Sequence, residues 1–393
     1  MREQPASMSP AAASTSPEAA SMSPQAASTS PEAASMSPQA ASTSPEAASM
    51  SPQPASPFLA ACRRQPVAHT PIWIMRQAGR YLPEYRELRA KVTFEALTHQ
   101  PELAAEVTLQ PLRRFELDAA ILFSDIMTPV QGMGLDLTFD PGPVVRDPIR
   151  SDAQIDALRE LVPERDVPHV LQSIKLIRPN LPRGAPLIGF AGGPFTLLCY
   201  LVSGKPSKEF DIARSFLYAR PQSAERLLDH LADAMAAYLA AQAAAGAQAL
   251  MLFESWAGLL GPAAFDRFAL RGARRTLAAL RQRTGVPLIY YVNQGSALME
   301  LVAALDVDVI GVDWRTPLGK VRQVLGPGKA VQGNLDPAAL FAPPDELKRH
   351  ADEVLREAGH APGHIFNLGH GIWPNTDPDA VARLVDHVHE RTA

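Results

Sequence analysis

Cysteine is scarce in this chain. Cys62 and Cys199 are the two that occur in 393 residues, too few for a disulfide framework and in keeping with a reducing compartment. Neither CxxC nor HExxH is present, so the compact sequence signatures of a zinc site are missing. No apolar run reaches the roughly 20 residues of a membrane span. The N-terminal residues lack the apolar core of a secretory signal. Charge of one sign is also lacking: the formal net charge is −4, with no basic run of the kind that marks a nucleic-acid-binding face. These absences point to a cytoplasmic protein that acts on a small molecule, without membrane or nucleic acid as partner. If the ligand is a polyanion, a few placed arginines must attract it, because the overall field does not help.

What is present is the composition of a globular protein, 46% hydrophobic and 20% charged. Residues 1–56 stand apart. The unit SMSPxAASTSPEAA starts at Ser7, Ser21 and Ser35, and a partial copy starts at Ser49. Little apolar surface is available to offset the entropy of ordering, and dense proline blocks helix and sheet pairing, so the stretch reads as a disordered extension. A transit peptide would be Arg-rich and acid-poor, whereas this stretch has Arg2 alone and repeats Glu18, Glu32 and Glu46. An accessory tail and an over-extended start both fit.

From residue 57 to 393 the pattern is strand, then helix, repeated. Short apolar or β-rich runs fall at 72–75, 119–123, 187–190, 249–253, 288–292, 309–312, 330–332 and 364–367. Continuous apolar runs of this length suit parallel strands buried on both faces. Helical stretches lie between them, at 227–245, at 345–357 and at 378–389, the last preceded by the N-cap types Thr376 and Asp377. Eight such units predict a single-domain (β/α)8 barrel, the TIM-barrel architecture.

In a barrel, chemistry gathers at the C-terminal strand ends. The residues there are Arg76, Gln77 and Arg80; Ser124 and Asp125; Gly192, Gly193 and Pro194 with Tyr200 beyond; Glu254 and Ser255; Asn293 and Gln294; Asp313; Asn334; and Gly369, His370 and Gly371. Arg76 and Arg80 flank Gly79, and a helical turn would project both guanidiniums to one side, where each can hold a carboxylate in two-pronged fashion. The alternative is a surface pair bonded to Glu84 and Glu87. Asp125 is an acid among apolar neighbours, either partly desolvated or a helix cap. His370, between glycines, sits on a tight exposed loop with no nearby ligand cluster for a metal. His364 lies on the apolar run and reads as structural. Tyr200 is either a site residue or an ordinary helix-face aromatic.

Taken together, MRQAGRYLPEYR, GFAGGPFTLLCYL, FSDI, FESWAG, VDWR, QGNLDP and FNLGHGI, in this order, resemble the uroporphyrinogen decarboxylase family from about Phe58 to the C-terminus. The resemblance implies a (β/α)8 fold, a homodimer and no metal or organic cofactor. It implies that Arg76, Gln77, Ala78, Gly79 and Arg80 hold substrate carboxylates, that Asp125 faces the pyrrole N–H groups, and that Tyr200, Ser255 and His370 touch the substrate, uroporphyrinogen III. Asp125 and Arg76 are then the expected catalytic pair, Arg76 first as positioner and second as proton donor. Two rivals are a corrinoid methyltransferase, which shares this fold family and needs a zinc site of His and Cys, and a non-catalytic tetrapyrrole carrier.

Overall fold

The computed structural model describes residues 56–139 and 142–393. The reading of the repetitive stretch as disordered falls outside these residues, save Ser56. That serine opens the first helix, Pro57–Cys62: its Oγ accepts from the N–H of Leu59 at 3.3 Å.

Seven parallel strands form the main sheet: β1 (Ala120–Ile121), β4 (Leu187–Gly192), β5 (Ala249–Glu254), β6 (Leu288–Val292), β7 (Val309–Val312), β8 (Ala330–Gln332) and β9 (His364–Ile365). They are hydrogen-bonded in chain order. All seven are buried along their length, as strands covered by helices outside and by packed side chains inside must be. A small antiparallel hairpin, β2 (Leu137–Phe139) with β3 (Pro143–Val145), lies outside this sheet. No feature of the sequence reading anticipated it.

The run at 72–75 is not a strand but a single bridge, Ile72 to Phe366. Pro71 C=O accepts from Phe366 N at 2.8 Å, and Ile72 C=O accepts from Asp118 N at 2.9 Å. The segment therefore lies between the last strand and the first, and closes the ring of a (β/α)8-type barrel. A ladder fails to extend because side chains occupy the amides it would use. Asp118 Oδ2 takes the N–H of Ile72 at 2.8 Å, Gln77 Oε1 that of Ile74 at 3.0 Å, and Asn367 Oδ1 that of Met75 at 2.9 Å.

The expected helices are present as Pro221–Ala245, Pro344–Ala358 and Pro378–Thr392, each with proline in its first turn, where the missing N–H costs nothing. Asp377 caps the last one through the N–H of Asp379 at 3.0 Å. Helix Pro221–Ala245 is locked to β4 by buried Gln242, whose amide pairs with both the N–H and the C=O of Phe190 at 2.9 Å. Its outer face meets helix Arg271–Arg281 and the turn before it through Arg267–Glu225, Arg271–Asp229 and Arg275–Asp233. Both partners advance by four residues at each step, so the two segments run parallel, as successive barrel helices do. Exposed pairs of this kind add little each. No helix among the described residues is long and apolar enough to cross a membrane.

Candidate active site

The turn that carries Arg76 is strapped on both sides. Buried Gln77 donates its amide to Ala119 C=O at 3.0 Å, tying the turn to the start of β1. Met75 C=O accepts from Ile372 N at 2.9 Å, tying it to the loop after β9. The backbone is a turn, not a helix, and Arg76 itself has φ of 64°, a left-handed conformation that costs a non-glycine residue roughly 1–2 kcal/mol. The helical i, i+4 argument for Arg76 and Arg80 therefore does not apply. The Arg76 side chain lies against Gly371, where a Cβ would sit 2.8 Å from its Nε. Glycine at 371 is thus a requirement of this close approach.

Arg76 lies near several titratable groups, each of which burial governs first. Its guanidinium acts on Asp125, Tyr200, His370 and Tyr291. Asp125 lies two residues past the apolar run that contains β1. Its Oδ1 accepts from Met127 N at 2.8 Å and so shapes the entry to helix Thr128–Gly132. This is part of the capping role, but only one oxygen is used; Oδ2 has no hydrogen-bond donor among the described residues. Burial holds the carboxyl above its ordinary range, while the Met127 N–H and Arg76 pull it down.

Tyr200 stands on helix Pro194–Ser203, whose N-terminus is pinned from below. Buried Glu254, the last residue of β5, accepts from Phe195 N (3.1 Å), Thr196 N (3.2 Å) and Thr196 Oγ1 (3.0 Å), which satisfies N–H groups that the helix start leaves open. Burial pushes its carboxyl up to about 8, and these three donors oppose the shift. Burial also raises the Tyr200 hydroxyl, which stays protonated at neutral pH.

The His370 loop is held by Tyr291, whose hydroxyl donates to Gly369 C=O at 2.8 Å. Trp314 meets the His370 ring edge-on at 6.2 Å, and Arg315 lies 3.7 Å over the Trp314 ring. Beneath, Asp313 accepts from Gly295 N at 3.2 Å and Arg315 N at 2.8 Å. Burial, with Arg76 and Arg315 nearby, lowers His370 to about 4, so the imidazole is neutral at pH 7.

The remaining expected residues are more loosely joined. Arg80, exposed like Arg76, forms no ion pair among the described residues; Glu84 bonds instead to Arg114 at 2.9 Å, so the surface-pair alternative fails as well. Ala78 packs on the core, and Gly79 lies close over Arg76 C=O. The backbone C=O of Ser255 accepts from Asn293 Nδ2 at 3.3 Å. Trp256, Tyr291 and Trp314 were missed as supports; the two tryptophans lie inside FESWAG and VDWR and Tyr291 on an apolar run, but no spacing rule marks an aromatic as a brace.

The profile of the family described as Uroporphyrinogen decarboxylase (URO-D) matches residues 53–391. The chain belongs to the uroporphyrinogen decarboxylase family. The relative named uroporphyrinogen decarboxylase from Syntrophotalea carbinolica is 50% identical over 335 residues, 85% of this chain and 97% of that one. Those of the same name from Geobacter metallireducens and Streptomyces griseus are each 49% identical, covering 84% and 86% of this chain and 97% and 92% of their own. Among solved structures, a methyltransferase from Methanosarcina mazei superposes with a TM-score of 0.71 at 23% identity, covering 85% of this chain and 98% of its own. At that identity the likeness speaks for the barrel alone. Of the expected site residues, Asp125, Tyr200 and His370 each lie near enough to Arg76 to feel its charge.

Proposed function

We propose that residues 57–393 form the catalytic unit and convert uroporphyrinogen III to coproporphyrinogen III, replacing four acetate side chains by methyl groups with release of four CO2. The observation that supports the mechanism is a half-buried Asp125 that keeps one oxygen open and feels the charge of Arg76.

Loss of CO2 leaves an electron pair on the side-chain carbon. A pyrrole protonated at its ring carbon accepts that pair, so the substrate supplies the electron sink that a cofactor would otherwise provide. The exocyclic methylene that results takes up a proton to become methyl, and the ring carbon then gives back the proton it had gained, which restores the aromatic pyrrole, so that one proton is consumed for each CO2 released. Asp125 faces the pyrrole N–H groups, fixes the macrocycle's shape and stabilises the cation. At about 4 Å and an effective dielectric near 20, this is worth roughly 4 kcal/mol, or about a thousandfold in rate if it acts mainly in the transition state. Arg76 and Arg80 hold the substrate's carboxylates, Arg76 foremost as positioner. Its high pKa makes it a poor acid, so a proton-relay role ranks second. Neutral His370 and protonated Tyr200 donate to carboxylates, and Ser255 and the backbone of residues 77–79 complete the contacts.

The reaction needs no metal or organic cofactor in this scheme. The methyltransferase alternative would require thiolates at the mouth, but Cys62 and Cys199 are both buried in helices and neither joins a metal-ligand cluster among the described residues. A cytoplasmic homodimer completes the proposal. Incubation of purified protein with uroporphyrinogen III under anaerobic reducing conditions tests it: CO2 and coproporphyrinogen are the expected products, and tetrapyrrole binding without CO2 release would favour a carrier instead.

A further inference from the structure

The barrel face opposite the candidate site, at the N-terminal strand ends, holds a cluster that the decarboxylation scheme does not use. His69 precedes the bridge residue Ile72, Asp118 precedes β1, and His389 stands on helix Pro378–Thr392. His69 Nε2 lies 2.8 Å from Asp118 Oδ1, and His389 Nε2 lies 2.9 Å from Asp118 Oδ2. The two rings are 4.4 Å apart, and one ligand atom from each of the three residues falls within 4.8 Å of the others.

We propose that His69, Asp118 and His389 form a binding site for a divalent transition cation, zinc foremost. Two imidazoles and one carboxylate are a sufficient protein donor set for such an ion, with water completing the shell. A tetrahedral zinc with bonds of about 2.0–2.1 Å sets its ligand atoms about 3.3 Å apart. His69 Nε2 and Asp118 Oδ1 reach that value by opening about half an ångström; Oδ2 stays on the Ile72 N–H, and His389, its ligand atom already within 4.8 Å of the others, turns from Oδ2 to the ion. The surrounding charge favours a cation: Glu116 and Asp386 join Asp118 in acting on His389, and nearby Arg391 is paired with Asp352 at 3.0 Å. A cavity of about 940 Å³, lined in part by His69, Thr392 and Ala393, gives ion and water a way in. All three donors are only partly buried. The ion would pin the C-terminal helix to the segment that closes the barrel, where Thr70 N already donates to Thr392 Oγ1 at 2.8 Å.

The test is calorimetric titration of the chelator-stripped full chain with zinc, beside His69→Gln and His389→Gln. Each amide can still donate to Asp118, which guards against a trivial loss of fold, and melting curves without zinc check this. One zinc per chain is expected, bound at least tenfold more weakly by each variant, with a melting shift in the parent that the variants lose. Turnover of His69→Gln stays at the parental level, because the site lies on the other face. Absence of zinc binding by the parent, or equal affinity in the parent and both variants, overturns the proposal; the cluster is then a pair of histidines hydrogen-bonded to one carboxylate. Decarboxylation is read separately, so failure of that function leaves this outcome untouched.

Discussion

Trp256 donates its indole N–H to the hydroxyl of Tyr200 at 3.2 Å. An indole cannot accept in return, so Tyr200 keeps its own proton to give, on the side where Asp125 and Arg76 act on it. Phe210 completes the support, its ring 4.8 Å from Trp256 and 5.3 Å from Tyr200. Trp256→Phe keeps most of the packing and removes the donor. A hydrogen bond of about 1 kcal/mol then predicts a severalfold rise in KM for uroporphyrinogen with little change in Tm. Unaltered kinetics would show that the orientation of Tyr200 is set by packing alone.

Asp125→Asn is the sharpest test of the proposed chemistry. The amide keeps an oxygen for the Met127 N–H, so the turn persists. What is lost is the negative charge beside the pyrrole cation. Turnover is expected to fall at least about a hundredfold, with an unchanged melting temperature. Near-normal turnover would remove Asp125 from the mechanism.

Arg76 separates stability from activity. Its left-handed backbone, φ 64°, suits glycine better than any other residue. Arg76→Gly should leave the Tm level or slightly higher while weakening both substrate binding and turnover. Both arginines are exposed; Arg80→Ala should weaken binding too, but less, since Arg76 and not Arg80 acts electrostatically on Asp125, Tyr200 and His370. If Arg80→Ala proves the more damaging of the two, the carboxylate clamp centres on the second arginine.

These contrasts mark how far sequence reached. The barrel was legible because β4 to β8 are unbroken apolar runs, and the helices because alanine-rich or proline-led stretches have few other options. The run at 72–75 reads as a strand yet forms a single bridge, since the side chains of Asp118, Gln77 and Asn367 consume its amides, and no apolar pattern reports that. Arg76, Asp125, Tyr200 and His370 stood out through strand-end placement and motif, and the charge of Arg76 reaches the other three. Arg80 was grouped with them on helical spacing that the turn does not follow. His69, Asp118 and His389 gave no signal at all, because three residues so far apart in the chain are joined only by barrel closure.

Gly193 carries a prediction that backbone angles alone would miss. Its φ of −65° is open to any residue, yet a side chain there would collide with the Glu254 carboxylate. Gly193→Ala should displace Glu254 from the helix start, lower the Tm by several degrees and reduce activity through Tyr200, ten-residue helix and all. An alanine variant with parental Tm and turnover would mean that Glu254 can move without cost. Glu254→Gln tests the same contact from the other side: its amide places donors against the N–H groups of Phe195 and Thr196, and a loss of stability without any change at position 193 is expected.

The last prediction concerns acid. Burial lowers His364 to about 4, while its Nε2 lies 2.9 Å from Gly333 C=O. The unfolded chain binds this proton near pH 6.5, the native state only near 4. Stability from this group is therefore complete above 6.5 and declines as pH falls through the interval to about 4, by a total on the order of 3 kcal/mol. His169 and His370, also lowered to about 4, add the same sign, whereas His389, raised by Asp118, gives the opposite one. His364→Gln keeps a donor for Gly333 C=O but cannot titrate. Urea unfolding at pH 7 and pH 5 should show a smaller acid loss in the variant than in the parent, by about 2 kcal/mol. Any fixed cost of substitution cancels in that difference. Equal acid losses would mean that His364 takes up its proton in the native barrel as readily as in the unfolded chain.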